Sequence, residues 1–249
     1  MKRFIAYFDY LGFKDFIEKN DLDFQRQIMN NNFRDIEDGI GQGKHRQGKH
    51  GGYIADLSKS TLNAINFSDT IVVWTNDDSI DSFAELIKMA YRFNHRSIAF
   101  TFPIRGMIMV DELESVAFSY TNDVGGAYNI NSVFGKGLVK AHLQADQQQW
   151  AGTVISEEVI EHLKRNGIDV EEMLAPYAMR YKVPYKPPYH IPYKEYALKL
   201  VTGINDEFFK NVSKGIVDNF SQYNKDASHE STQEKLKNTI EFLRSHEKV

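Results

Sequence analysis

The chain has 249 residues, 42% apolar and 26% charged, which suits one sizeable α/β domain with an appendage. Thirty basic residues against 34 acidic ones leave a net charge of −4, which argues against a nucleic-acid-coating role but leaves room for a local basic pocket. No cysteine is present, so disulfides and thiolate metal sites are excluded.

In chain order, Phe4 to Phe8 is a β-rich apolar run that ends in Asp9, with Gly12 three residues beyond. Starting at residue 3, it leaves no room for a secretory signal, and no apolar run nears the ~20 residues of a membrane span. A cytoplasmic protein with no membrane and no nucleic-acid partner is expected. Phe13 to Ile40 has helical apolar spacing, and the glycine-rich, basic stretch from Gly39 to Gly52 reads as a mobile surface loop. His45 and His50 lie in that stretch without regular ligand spacing, so they get no metal role.

Leu62 to Phe67 and Thr70 to Thr75 form a predicted hairpin hinged at Ser68-Asp69. A helix is predicted over Asp81 to Ile98, with Ser82 and Glu85 as its capping box. Ile104 to Val110 and Val116 to Tyr120 read as strands, Asn122 to Gly126 as a loop, and Gly135 to Gln149 as a helix. Thr153 to Ile155 is a short strand. Ser156 then caps a helix with Glu157 and Glu158 in its first turn and Gly167 past its end. Tyr181 to Tyr196 holds four prolines and five tyrosines and should be extended. Two polar helices should fill residues 206 to 249 around a break at Asn224 to Ser231.

The order β-α-β-β-α-β-β through residue 120 is the split βαβ, ferredoxin-like theme, an α+β fold. It gives a core over 1–175 and, over 176–249, a Tyr/Pro segment and C-terminal helices packed on or beside it. In this topology the first and third strands are neighbours, so Asp9 and Asp69 converge at one sheet end. Alone, each aspartate reads as a turn former. Together they are a pair of hard oxygen donors suited to Mg²⁺ or Mn²⁺ bound with phosphate.

Phe8-Asp9-Tyr10-Leu11-Gly12-Phe13, the Ser68-Asp69 turn, Arg105-Gly106-Met107-Ile108 and Ser132 to Ala141 resemble, in that order, the motifs of class III nucleotidyl cyclases. The resemblance runs over residues 3 to 160. It implies two Mn²⁺ or Mg²⁺ ions per site on Asp9, Asp69 and the Tyr10 carbonyl. These would activate the ribose 3′-hydroxyl and neutralise the leaving pyrophosphate. The backbone N–H groups of the Tyr10–Phe13 turn, Leu11, Gly12 and Phe13 included, would meet phosphate oxygens.

The departures point further. Where purine cyclases carry a base-reading Lys and Asp this chain has Ile65 and Ser132, and their transition-state Asn and Arg are Val139 and Leu143. This pattern, with Gly135-x-x-Leu138-x-x-Ala141-His142, is similar to the pyrimidine cyclases of bacterial Pycsar antiphage systems. The implied activity is UTP to cyclic UMP, with CTP to cyclic CMP, a purine cyclase and a non-catalytic cyclase fold as alternatives. Arg105, then Lys136 and Lys140, are candidates for the missing cation. Arg105 reads equally as a salt-bridged strand end, and Lys140 as a solvated helix face. Ser132 and Asn66 are candidates to read the base, and Phe67 to stack on it or fill the core. The resemblance also implies a two-fold homodimer with both sites at its interface.

Overall fold

The computed structural model describes residues 1–201, 203 and 205–246. In chain order the elements are β1 (Lys2–Tyr10), α1 (Phe13–Lys19), α2 (Leu22–Ile40), β2 (His45–Gln47), β3 (Tyr53–Ala55), β4 (Asn63–Phe67), β5 (Thr70–Trp74), α3 (Ile80–Phe100) and β6 (Ile104–Glu112). They continue with β7 (Glu114–Thr121), β8 (Ala127–Phe134), α4 (Lys136–Gln147), β9 (Thr153–Ile155), α5 (Glu157–Arg165), α6 (Val170–Leu174), β10 (Ala178–Tyr181), β11 (Glu195–Leu198), α7 (Asp206–Ser221) and α8 (Glu230–Arg244).

Seven strands form the main sheet in the order β10-β11-β9-β6-β1-β5-β4, antiparallel except for the β6–β9 pair. β1 lies at its heart because both of its faces are apolar, and alternate side chains serve different layers. Phe4 and Phe8 meet Phe83 and Phe93 of α3 on one face. Tyr7 meets His142 of α4 on the other. Asp9 therefore shares the α4 face with Tyr7. This is the expected α+β arrangement, with the first and third predicted strands paired. Residues 176–249 supply β10 and β11 to the same sheet besides helices α7 and α8; residues 202, 204 and 247–249 of that segment lie outside the described residues.

Several local expectations are corrected. The helix expected over Phe13 to Ile40 is two helices, because Asn20 is extended and the Asp21 side chain accepts from Phe24 N to start α2 afresh. The stretch Gly39 to Gly52 is ordered in its middle: β2 pairs with β3, and His45 lies 3.3 Å from the Asp38 carboxylate. Ser79, not Ser82, caps α3, accepting from Ser82 N, while Glu85 instead accepts from Ser60 and Thr61. Ser156 sits at the N-cap of α5 but its hydroxyl makes no cap bond.

β8 was not anticipated. It pairs with β7 along its whole length to form a separate exposed hairpin, although Tyr128, Ile130 and Phe134 alternate with polar residues as a strand should.

The strands pack closely around β1. A Cβ on Gly106 would stand 2.7 Å from Phe8 Cδ1, 2.7 Å from Thr153 Oγ1 and 2.9 Å from the Tyr7 carbonyl oxygen. Gly106→Ala should therefore destabilise the fold by about 1–3 kcal/mol through overpacking, read as a lower urea midpoint with an unchanged slope.

Candidate active site

The α4-side face of the sheet ends in a polar cavity lined by Asp9, the Tyr10–Phe13 turn, Asp69 and Arg105. Its volume, about 380 Å³, is in the range of small-molecule sites. Backbone pairing sets up its floor. Asp9 stands opposite Thr70 on β5 and Arg105 on β6, and Tyr10 N donates to the Asp69 carbonyl at 3.0 Å. Ser68, at φ 56°, takes the left-handed conformation that lets the β4–β5 hairpin turn tightly and present Asp69.

The carboxylates differ in their partners. Asp9 accepts from Arg105 Nε at 2.8 Å, both side chains being largely buried. Burial pushes the Asp9 carboxyl up, Arg105 pulls it down, Asp69 pushes it up again, and the net shift is upward. The Asp69 carboxylate has no hydrogen bond or ion pair among the described residues. A free carboxylate beside a second one that its charge disfavours is a donor set that fits a hard divalent cation. The Tyr10 ring is buried against Phe13 and Phe102, so what Tyr10 would offer a cation is its backbone carbonyl.

The turn holds fewer free donors than its sequence suggests. Tyr10 N is committed to Asp69, and Leu11 N to the Pro103 carbonyl at 2.8 Å. Gly12 and Phe13 keep theirs at the start of α1. Gly12 has φ 78°, and a Cβ there would lie 2.9 Å from Cδ of Lys225, whose stem covers the turn. The C-terminal segment thus forms the opposite wall.

Arg105 is not a free cation. Besides Asp9, it donates from Nη1 to the Asp146 carbonyl and from Nη2 to the Asp146 carboxylate, which also receives Lys186 Nζ at 3.1 Å. Burial alone would raise the Asp146 carboxyl, but the Lys186 and Arg105 contacts outweigh it and leave it below the ordinary value. Lys136 and Lys140 line neither this cavity nor the next, because Glu112 and Asp111 hold their ammonium groups at 3.1 and 2.5 Å. Lys186, Lys225 and Lys235 line the cavity instead. No local motif marked them, since they come from the Tyr/Pro segment, the connection between α7 and α8, and the body of α8.

A second, largely apolar cavity of about 550 Å³ adjoins the first along β1. Ile65, Phe67, Thr70, Ser132, Val139, His142 and Leu143 line it, with Tyr7. Tyr7 Oη lies 2.9 Å from His142 Nδ1 and 3.5 Å from Thr70 Oγ1. Phe67 is 79% exposed rather than part of the core, whereas Asn66 Nδ2 is turned onto the Thr70 carbonyl at 3.0 Å.

This sheet order has a known counterpart. The fold is that of a class III nucleotidyl cyclase catalytic core. The chain superposes on the catalytic core of a rhodopsin-guanylyl cyclase with converted specificity, solved in complex with ATPαS, at a TM-score of 0.51 and 10% identity over 79% of this chain and 94% of that one. It also matches the non-canonical dimeric guanylyl cyclase domain of the RhoGC fusion protein from the aquatic fungus Blastocladiella emersonii (TM-score 0.49, 11% identity, 79% and 93% covered). A third match is the adenylyl cyclase CyaB from P. aeruginosa (TM-score 0.44, 14% identity, 82% and 96% covered). No protein-family model matches the chain, and no curated protein matches its sequence. Among the described residues no helix is long and apolar enough to cross a membrane.

Burial lowers the Lys225 ammonium to about 7, with its Nζ over the Phe102 ring at 4.0 Å. The unfolded chain therefore binds the extra proton between about pH 7 and the ordinary lysine value. Stability should rise with pH across that window, by at most about 1.4 kcal/mol per pH unit from this group. Lys225→Met should flatten that rise in urea titrations run at pH 6, 7.5 and 9.

Proposed function

We propose that the protein is a nucleotidyl cyclase that converts UTP to 3′,5′-cyclic UMP and pyrophosphate, with CTP the next candidate substrate. Its product would serve as a second messenger in defence against phage. The observation that carries the cyclase reading is the convergence of Asp9, free Asp69 and the Gly12 turn in one cavity, on a cyclase fold. The reaction joins the ribose 3′-oxygen to the α-phosphorus, breaks the bond from that phosphorus to the bridging oxygen, and frees the hydroxyl proton. Asp9 and Asp69, with the Tyr10 carbonyl, would hold Mn²⁺ or Mg²⁺, which supplies positive charge to the attacking hydroxyl and the leaving pyrophosphate.

The chain's own groups account for positioning. Arg105 fixes the Asp9 carboxylate by a side-on hydrogen bond and is itself locked by Asp146. The N–H groups of Gly12 and Phe13 face the phosphates from the turn, which catalyses by orientation and charge placement rather than covalent chemistry.

The pyrimidine preference draws support from the second cavity. Ile65 and Ser132, at the positions where purine cyclases read the base, line it beside the Tyr7–His142–Thr70 group. A site of few fixed hydrogen-bonding groups within apolar walls rejects bases that leave those groups unpaired. A homodimer draws support from the same face. Phe67, Val139 and Leu143 are 79%, 58% and 56% exposed beside the unpaired β7–β8 hairpin, with Phe118, Tyr120, Tyr128 and Phe134 also exposed. Exposed apolar side chains in such number on α4, at the β4–β5 turn and on the hairpin support an interaction site there. In a two-fold pair it would bring the second copy's base cavity to the metal carboxylates.

Incubating the purified protein with Mn²⁺ and each ribonucleoside triphosphate in turn, with products identified by mass spectrometry, should yield mainly cyclic UMP. Dominant cyclic AMP or cyclic GMP would reject the pyrimidine reading. Asp9→Asn and Asp69→Asn should each cut turnover by about 10³-fold or more, as expected for loss of metal-borne charge stabilisation worth several kcal/mol. Pyrophosphate release from none of the four would identify a non-catalytic protein. For the dimer, Leu143→Glu should turn a two-chain mass in light scattering into a one-chain mass and abolish turnover while leaving the circular dichroism spectrum intact.

A further inference from the structure

Helix α8 carries a lysine whose ammonium is paired with no acidic side chain among the described residues. Lys235 is partly buried in the wall of the Asp9 cavity, and its ammonium has no hydrogen bond or ion pair among the described residues. The cations around it are already committed. Asp146, which also lines the cavity, is bonded by both Arg105 and Lys186. Burial first, then repulsion from Arg105 and Lys186, pushes the Lys235 ammonium below the ordinary lysine range, with Asp146 and Asp9 opposing only in part.

Holding a cation there is unfavourable unless an anion arrives, because desolvation and like charge act together. The position is nonetheless built in. One turn further along α8, Thr239 Oγ1 accepts from Ala151 N at 2.8 Å, and Asn238 Nδ2 donates to the Gln149 carbonyl at 2.7 Å. Trp150 packs against Phe242 at 4.7 Å. These contacts pin α8 to the turn that follows α4, the helix that carries Asp146. Residues three and four apart share a helix face, so Thr232 and Lys235 are turned to the cavity by the same anchoring.

We propose that Lys235 is a binding residue for the terminal phosphates of the triphosphate and for the pyrophosphate set free, forming from the chain's own C-terminal helix a polyphosphate subsite beside Arg105 and Lys186, which stay bonded to Asp146. Naming the anion as polyphosphate rests on the cyclase reading; the affinity of the cavity for such an anion does not. The subsite supplies the charge that Val139 and Leu143 cannot, and it supplies it from the same protomer that holds Asp9 and Asp69.

The test is calorimetric titration of the full chain with inorganic pyrophosphate in EDTA, comparing wild type, Lys235→Ala, Lys235→Arg and the solvated control Lys237→Ala on the same helix. Lys235→Ala should weaken binding about tenfold or more, the size of a lost charge-assisted contact, while Lys235→Arg retains most of it. Lys237→Ala should match wild type, and circular dichroism spectra should coincide throughout. In turnover assays Lys235→Ala should raise KM and the pyrophosphate inhibition constant more than it lowers kcat. Absent pyrophosphate binding by wild type, unchanged affinity in a folded Lys235→Ala, or an equal loss in Lys237→Ala would each overturn the subsite. A wild type that binds pyrophosphate through Lys235 yet cyclises none of the four triphosphates upholds the subsite and ends the cyclase reading. A cyclase indifferent to Lys235→Ala does the reverse.

Discussion

The antiparallel pairing of β1 with β5 on one side and β6 on the other is the constraint on which the site depends. That register sets Asp9 against Thr70 and Arg105 and brings the Asp69 carbonyl onto Tyr10 N. A one-residue slip would turn Asp9 to the α3 face and bury its carboxylate among Phe83 and Phe93, so the apolar alternation that fixes the register also fixes the chemistry.

From that register a chain of charges runs outward. Asp9 is bonded by Arg105, Arg105 by Asp146, and Asp146 by Lys186. Each link crosses between elements: β1 to β6, β6 to the end of α4, and α4 to the segment between β10 and β11. The Arg105–Asp9 pair is largely buried, so the loss of either partner would leave a charge stranded at a cost of about 3–5 kcal/mol. The network therefore couples Asp9 to the C-terminal third of the chain, whose strands β10 and β11 belong to the main sheet and whose helices wall the cavity.

The two cavities divide the chemistry along one face. The polar one gathers carboxylates, turn amides and lysines, while the apolar one gathers Ile65, Val139 and Leu143, which carry no charge at all. The cations of the polar cavity come from elements other than α4: Arg105 from β6, Lys186 from the segment between β10 and β11, and Lys235 from α8.

What the sequence determined by itself was whatever is written in short-range pattern. The apolar run ending in Asp9, the Ser68-Asp69 hinge and the strand–helix order were enough to predict the sheet neighbours and the acidic pair, because strand faces and turns are set by adjacent residues. The break at Asn20-Asp21, the Ser79 cap and β8 were missed, although capping chemistry and strand alternation carried the signal for each. Lys14 follows the Asp9 motif directly, but tertiary structure alone decided which distant cations reach the site. Lys136 and Lys140, close to a motif, are held off by Glu112 and Asp111, whereas Lys186, Lys225 and Lys235 arrive from distant polar segments with no pattern of their own. A long side chain's destination depends on the charges and anchors that surround it in space, and those are set by packing between elements far apart in the chain.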